Sequence, residues 1–72
     1  MAKARMKVVA ALRSALERHQ PSEELLDIIR VNAEREGARI DPARWAQASP
    51  EQRRELLKRS LDLIELQTAF EH

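Results

Sequence analysis

The sequence has no cysteine and no tyrosine, and its 72 residues include one glycine and two aromatic side chains. Without cysteine the chain has neither disulfides nor thiolate metal ligands to stabilise a small domain. One glycine is too few for a glycine-rich phosphate loop, and no apolar run reaches the roughly eighteen residues of a membrane-spanning helix. These absences exclude a disulfide scaffold, a phosphate-loop enzyme and a membrane-spanning helix.

An excess of charge of one sign is also missing, because thirteen basic side chains are matched by twelve acidic ones and the net charge is +1. The balance is uneven along the chain. Residues 1–20 carry five basic and one acidic side chain, whereas residues 21–37 carry two basic and five acidic. The apolar run near the amino terminus stops at Arg13 after five residues, which is too short for a secretion signal. We therefore expect a cytoplasmic protein.

The residues that are present favour helices. Hydrophobic residues make up 43% of the chain and charged residues 35%, as in globular proteins, and good helix formers dominate without any period-two alternation. A chain this short buries barely enough apolar surface to fold, so it needs efficient helix packing or self-association. We predict one all-α domain over residues 1–72, a small bundle of three main helices plus one short helix, which dimerises through its last helix. The predicted helices cover residues 2–19, 23–36, 42–48 and 50–70.

Short polar motifs set these boundaries. Ser22 is predicted to cap the second helix, and Gly37 is predicted to end it in a left-handed conformation. Asp41 followed by proline is typical of a helix start, and so is Ser49 followed by proline. Gln52 stands at the third helical position after Ser49, which predicts a reciprocal capping box.

The last helix carries two apolar lines. One line has the spacing of a helix face that packs on a core, and its members are Leu57, Leu61, Ile64 and Thr68. The other line repeats every seven residues, with small or polar residues beside it that could set a register. We predict that this second line is a dimer seam formed by Leu56, Ser60, Leu63, Gln67 and Phe70. The alternative is that the last helix lies at the centre of the bundle and uses both lines within one chain.

Other apolar residues lie away from the predicted core faces and are candidate contacts for another protein. Ile28 and Val31 lie off the main apolar stripe of the second helix, and Leu66 lies beside the seam of the last helix. Trp45, next to Arg44, has two interpretations: it closes the open end of the bundle, or it is a binding hot spot of the Trp and Arg type.

Basic residues on the first helix provide a second hypothesis. They form a stripe that could contact phosphates without reading bases, and a dimer would double it. Its members are Lys3, Lys7, Arg13 and Arg18. The other interpretation is a solvated helix face, favoured by the near-zero net charge and the scarcity of aromatic residues.

Residues for catalysis are scarce. The two histidines are His19, at the end of the first predicted helix, and His72, at the chain terminus. His19 is well placed against the helix dipole, which is a structural role. No serine or threonine stands in a nucleophile motif. We expect no enzymatic activity, no metal and no cofactor.

In size and composition the chain resembles the small helical regulators and inhibitors of bacteria, plasmids and phages, a resemblance that no motif carries. It implies a protein that acts by occupying a surface on a larger protein. We therefore expect a non-enzymatic protein–protein interaction module and a homodimer, with no membrane partner. The alternative is a dimeric nucleic-acid-binding protein that uses the basic face of the first helix.

Overall fold

A computed structural model describes residues 2–18 and 22–70, with side chains from Arg5 onward, and within these ranges the chain forms four α-helices and no strand. The helices are α1 (Ala2–Arg18), α2 (Glu23–Arg35), α3 (Pro42–Gln47) and α4 (Pro50–Phe70). The all-α class is confirmed, and the helix ends in the described ranges differ from the predicted ones by at most one residue. The predicted position of His19 lies outside the described residues, as does that of His72.

The N-terminal ends of α2 and α3 are held by their predicted caps. The Ser22 hydroxyl accepts a hydrogen bond from the backbone N–H of Leu25 at 3.2 Å. The Asp41 carboxylate accepts one from the backbone N–H of Ala43 at 3.0 Å, and Pro42 occupies the first turn of α3, where no backbone N–H is required. Each cap satisfies a donor that the helix itself cannot pair.

The start of α4 and the end of α2 also follow from local sequence. The Ser49 backbone N–H donates to the Gln52 side chain at 2.9 Å, and the Gln52 backbone N–H donates to the Ser49 hydroxyl at 3.2 Å, which completes the capping box. After α2, Gly37 has φ of 110°, and the backbone N–H of Ala38 donates to the carbonyl of Ala33 at 2.9 Å. The predicted left-handed glycine therefore ends α2 in a Schellman turn.

The core lies where the three long helices meet, since α4 packs against both α1 and α2, and α1 packs against α2. The short helix α3 adds the tryptophan to this core. The buried apolar side chains are Val9, Leu16, Leu26, Ile29, Ala33, Trp45, Leu57, Leu61 and Ile64. The predicted core line of α4 is confirmed, because all of its members are buried, including Thr68. In the described part of the chain, no helix combines the length and apolar character needed to cross a membrane.

Candidate interaction surfaces

One face of α4 carries large apolar side chains that the domain does not cover. Leu63 and Leu66 are 55% and 54% exposed, and Phe70 is 81% exposed. Their spacing of three and four residues places them within about 60° of each other around the helix. We call these three residues the α4 apolar face. Leu66, which the sequence placed beside the seam as a candidate partner contact, thus shares a face with two seam residues.

The other members of the predicted seam have different environments. Gln67 is exposed, whereas Leu56 is half-buried and packs against the core. Ser60 is buried within the domain. A buried side chain cannot face a second copy, so Ser60 belongs to the packing of α4 within its own chain and not to a seam. The physical reason is that α4 contacts two helices, and their combined contact extends onto the edge of the second line.

A groove of about 570 Å³ opens between α3 and the first half of α4. Ala48 and Leu56 are its apolar lining residues. The remaining lining is polar and carries both signs of charge, with Arg44, Gln47, Glu51, Gln52, Glu55 and Arg59. Because Leu56 belongs to the heptad line of Leu63 and Phe70, the groove lies at one end of the same side of α4 that bears the α4 apolar face.

Trp45 is inside the domain. Its side chain is 7% exposed, and its indole N–H donates to the Asp27 carboxylate at 3.1 Å. Ile40 packs against the same core, as expected for two residues that close the bundle. A partner could reach this indole only by displacing it from the core, so the geometry favours the structural interpretation over the hot spot. Arg44 is exposed and lines the groove.

Two arginines also contact the tryptophan ring. The guanidinium carbons of Arg30 and Arg53 lie 5.4 Å and 5.2 Å from the centre of the Trp45 ring, within the range of cation–π attraction. Arg53 additionally donates from Nε to the backbone carbonyl of Trp45 at 2.9 Å. These contacts join α2, α3 and α4 around a single side chain.

The outer face of α2 exposes two further apolar residues. Ile28 is 57% exposed and Val31 is 40% exposed. They lie on the side of α2 opposite its buried residues Leu26, Ile29 and Ala33, so they contribute little to the core. As predicted, they lie off the packed stripe, and they remain candidate contacts for another protein.

One predicted member of the basic stripe on α1, Arg13, is engaged within the domain. Lys7 and Arg18 are exposed, and the side chain of Lys3 lies outside the described ones. Arg13 donates to Asp62 at 2.7 Å and to Glu65 at 3.2 Å, which ties α1 to α4. The hydrogen bond to Asp62 raises the pKa of Arg13. This guanidinium is already paired with two carboxylates. The prediction that it belongs to a phosphate-binding stripe is disfavoured by this pairing.

Among the described residues, no group of three or more histidine, cysteine, aspartate or glutamate side chains could hold a metal ion. Comparison with protein-family models, with curated proteins and with solved structures gave no match. What the chain does must therefore be inferred from its own surfaces.

Proposed function

We propose that this protein is a small, non-enzymatic interaction module that acts by binding another protein, and that it self-associates through the α4 apolar face. The observation that carries the proposal is the exposure of Leu63, Leu66 and Phe70 on one side of a helix whose other side is already buried in the core. Adjacent exposed apolar side chains on a small domain are typical of an interaction site. Helix faces of this kind dock into apolar grooves or onto other helices.

The expected strength of self-association follows from the exposed fractions. Full burial of a large apolar side chain contributes about 1.5–3 kcal/mol, and more than half of each of these three remains to be buried. Two copies together then gain about 6–11 kcal/mol, which is of the same order as the cost of bringing two molecules together. We therefore expect a reversible dimer whose population depends on concentration.

The outer face of α2 is the surface that we assign to the other protein. Ile28 and Val31 stand one turn apart on it. Glu24 and Asp27 lie on the same helix, so charge can contribute to the choice of partner. This division leaves the α4 apolar face for self-association, and the two surfaces can be tested separately.

The test of self-association is the mass of the protein in solution, measured by analytical ultracentrifugation from about 1 µM to about 1 mM. The wild-type mass is expected to rise with concentration from 8.3 kDa towards twice that value. Leu63→Glu is expected to stay monomeric, because a charge replaces an apolar contact. Val31→Glu is the matched control, since it adds the same charge at an exposed apolar position on another helix. A wild type that stays monomeric over the whole range contradicts self-association.

The test of partner binding uses the same two variants in affinity capture from a bacterial lysate. A specific partner is expected to be retained by the wild type and by Leu63→Glu, and to be lost with Val31→Glu. Loss with both variants or with neither contradicts the assignment of the partner surface to α2.

A further inference from the structure

We propose that, in the self-associated form, two α4 helices pair antiparallel about a two-fold axis at Leu63, and that each Phe70 inserts into the α3–α4 groove of the second copy. This inference rests on the self-association proposed above and names its geometry. It commits the groove to one occupant, the C-terminal aromatic side chain of a second copy of this chain.

The register follows from the positions of three residues. Leu63 lies seven residues after Leu56 and seven residues before Phe70. In an antiparallel pair with its two-fold axis at residue 63, the position seven residues after the axis in one copy faces the position seven residues before the axis in the other copy. Phe70 of each copy therefore faces Leu56 of the other, and the contact occurs twice, as two-fold symmetry requires.

The two ends of α4 are complementary in shape and chemistry. One end presents Phe70, the most exposed of the large apolar side chains identified on the surface. The other end presents a groove of about 570 Å³ that includes Leu56 and two arginines, Arg44 and Arg59. An aromatic ring can lie against Leu56 while its face meets a guanidinium, an arrangement that cation–π attraction favours. A parallel pair would instead place Phe70 against Phe70 and leave both grooves without this side chain.

The helix dipoles favour the same direction. Antiparallel pairing opposes the two α4 dipoles, whereas parallel pairing aligns them. Among the basic residues of α4, Arg59 is exposed beside the groove, on the side of the helix that carries Leu63. Arg53 is held on Trp45 within the domain, and the acidic residues Asp62 and Glu65 are paired with Arg13.

Disulfide cross-linking tests the direction of pairing, because the chain has no cysteine of its own. Leu63→Cys, on the axis, is expected to cross-link with itself under mild oxidation. Gln67→Cys is not, because the two copies of residue 67 would lie about 12 Å apart along the helices, beyond the reach of a disulfide. A mixture of Gln67→Cys and Arg59→Cys is expected to form the mixed disulfide. Val31→Cys, exposed on another helix, is the control for random collision.

Insertion of Phe70 is tested by nuclear magnetic resonance, because it is the only phenylalanine and its ring signals are unambiguous. In a mixture of isotope-labelled and unlabelled protein, we expect an intermolecular Overhauser effect between the Phe70 ring and the Leu56 methyl groups. Phe70→Ala is expected to raise the dissociation constant of the dimer at least tenfold.

These experiments distinguish failure of the proposed geometry from failure of self-association. Self-cross-linking of Gln67→Cys as efficient as that of Leu63→Cys would show a parallel pair, and it would overturn this geometry while self-association stands. The insertion of Phe70 alone would be overturned if the pair is antiparallel, no Overhauser effect joins Phe70 to Leu56 of the other copy, and Phe70→Ala leaves the dissociation constant unchanged. A wild type that stays monomeric, with no variant cross-linking above the Val31→Cys control, would overturn self-association and this geometry together.

Discussion

Replacing Trp45 with phenylalanine tests whether this side chain serves the fold. Trp45→Phe keeps an aromatic ring in the core but removes the indole N–H that donates to Asp27 at 3.1 Å. A hydrogen bond to a charged group contributes about 1.5–3 kcal/mol, but Asp27 is half-exposed and water competes for its carboxylate, so we expect about 1 kcal/mol. The smaller ring also leaves space in the core and attracts Arg30 and Arg53 less strongly, which adds about 1 kcal/mol.

The expected total, about 2 kcal/mol, is large for a domain of this size. A domain of 60–100 residues loses about 4–8 °C of Tm for each kcal/mol, so Trp45→Phe should melt about 8–16 °C below the wild type. The measurement is thermal unfolding followed by circular dichroism at a low protein concentration, where self-association does not contribute. Trp45→Ala sets the upper limit, because it removes the whole side chain and should cost about 3–5 kcal/mol.

A double-mutant cycle isolates the contact between Trp45 and Asp27. We expect the double variant Trp45→Phe, Asp27→Ala to lose about 1 kcal/mol less stability than the sum of the two single losses, because each single variant already removes the shared hydrogen bond. Glu24→Ala is the control, since it removes an exposed acidic residue from the same helix. The reasoning is refuted if Trp45→Phe melts within about 2 °C of the wild type. Unchanged stability together with loss of partner binding would instead support the hot-spot interpretation.

The remaining predictions concern four other positions. Thr68→Val should raise the free energy of unfolding by about 1 kcal/mol, because the buried Oγ1 of Thr68 has no hydrogen-bond partner; an unchanged denaturant midpoint would contradict this. Arg13→Ala should lower stability by about 0.5–1 kcal/mol at low salt and by less at high salt, since its bridges to α4 are partly exposed; a loss independent of salt would point to packing instead of charge. Gly37→Ala should lower the free energy of unfolding, measured by chemical denaturation, by about 1–2 kcal/mol. The cause is backbone strain, because φ is 110° and an added Cβ would meet no atom within 4 Å. Gly37→Asn should lower it by less. Wild-type protein should show no salt-dependent binding to duplex DNA, and binding at low salt that the charge reversal Lys7→Glu abolishes would revive the nucleic-acid hypothesis.

The helices and their ends could be predicted from the sequence because the interactions that set them are local. Each cap joins residues at most a few positions apart, as in the Ser49 and Gln52 box or the Schellman turn at Gly37. The core line of α4 was also predictable, because helical geometry fixes which residues share a face whatever that face packs against. The same rule predicted that Ile28 and Val31 lie off the packed stripe of α2.

Contacts between distant residues could not be predicted in this way. Arg13 pairs with Asp62 and Glu65, which lie 49 and 52 positions further along the chain. The Trp45 indole donates to Asp27, which lies 18 positions before it. Many acidic side chains could have filled these roles, and the choice depends on how the helices are rotated and aligned against each other. The sequence does show that Asp62 and Glu65 share one face of α4. It does not show which helix supplies the arginine that pairs with them.

The sequence by itself determined four helices, their caps and the apolar line that faces the core, because these depend on spacing along one helix. Only the tertiary structure decided which residues of the second line of α4 pack within the chain. Packing against two helices buries Ser60 and half-buries Leu56, whereas Leu63 and Phe70 extend beyond that contact and stay exposed. Exposure depends on how the neighbouring helices lie against α4, and the periodic pattern of one helix does not determine that placement.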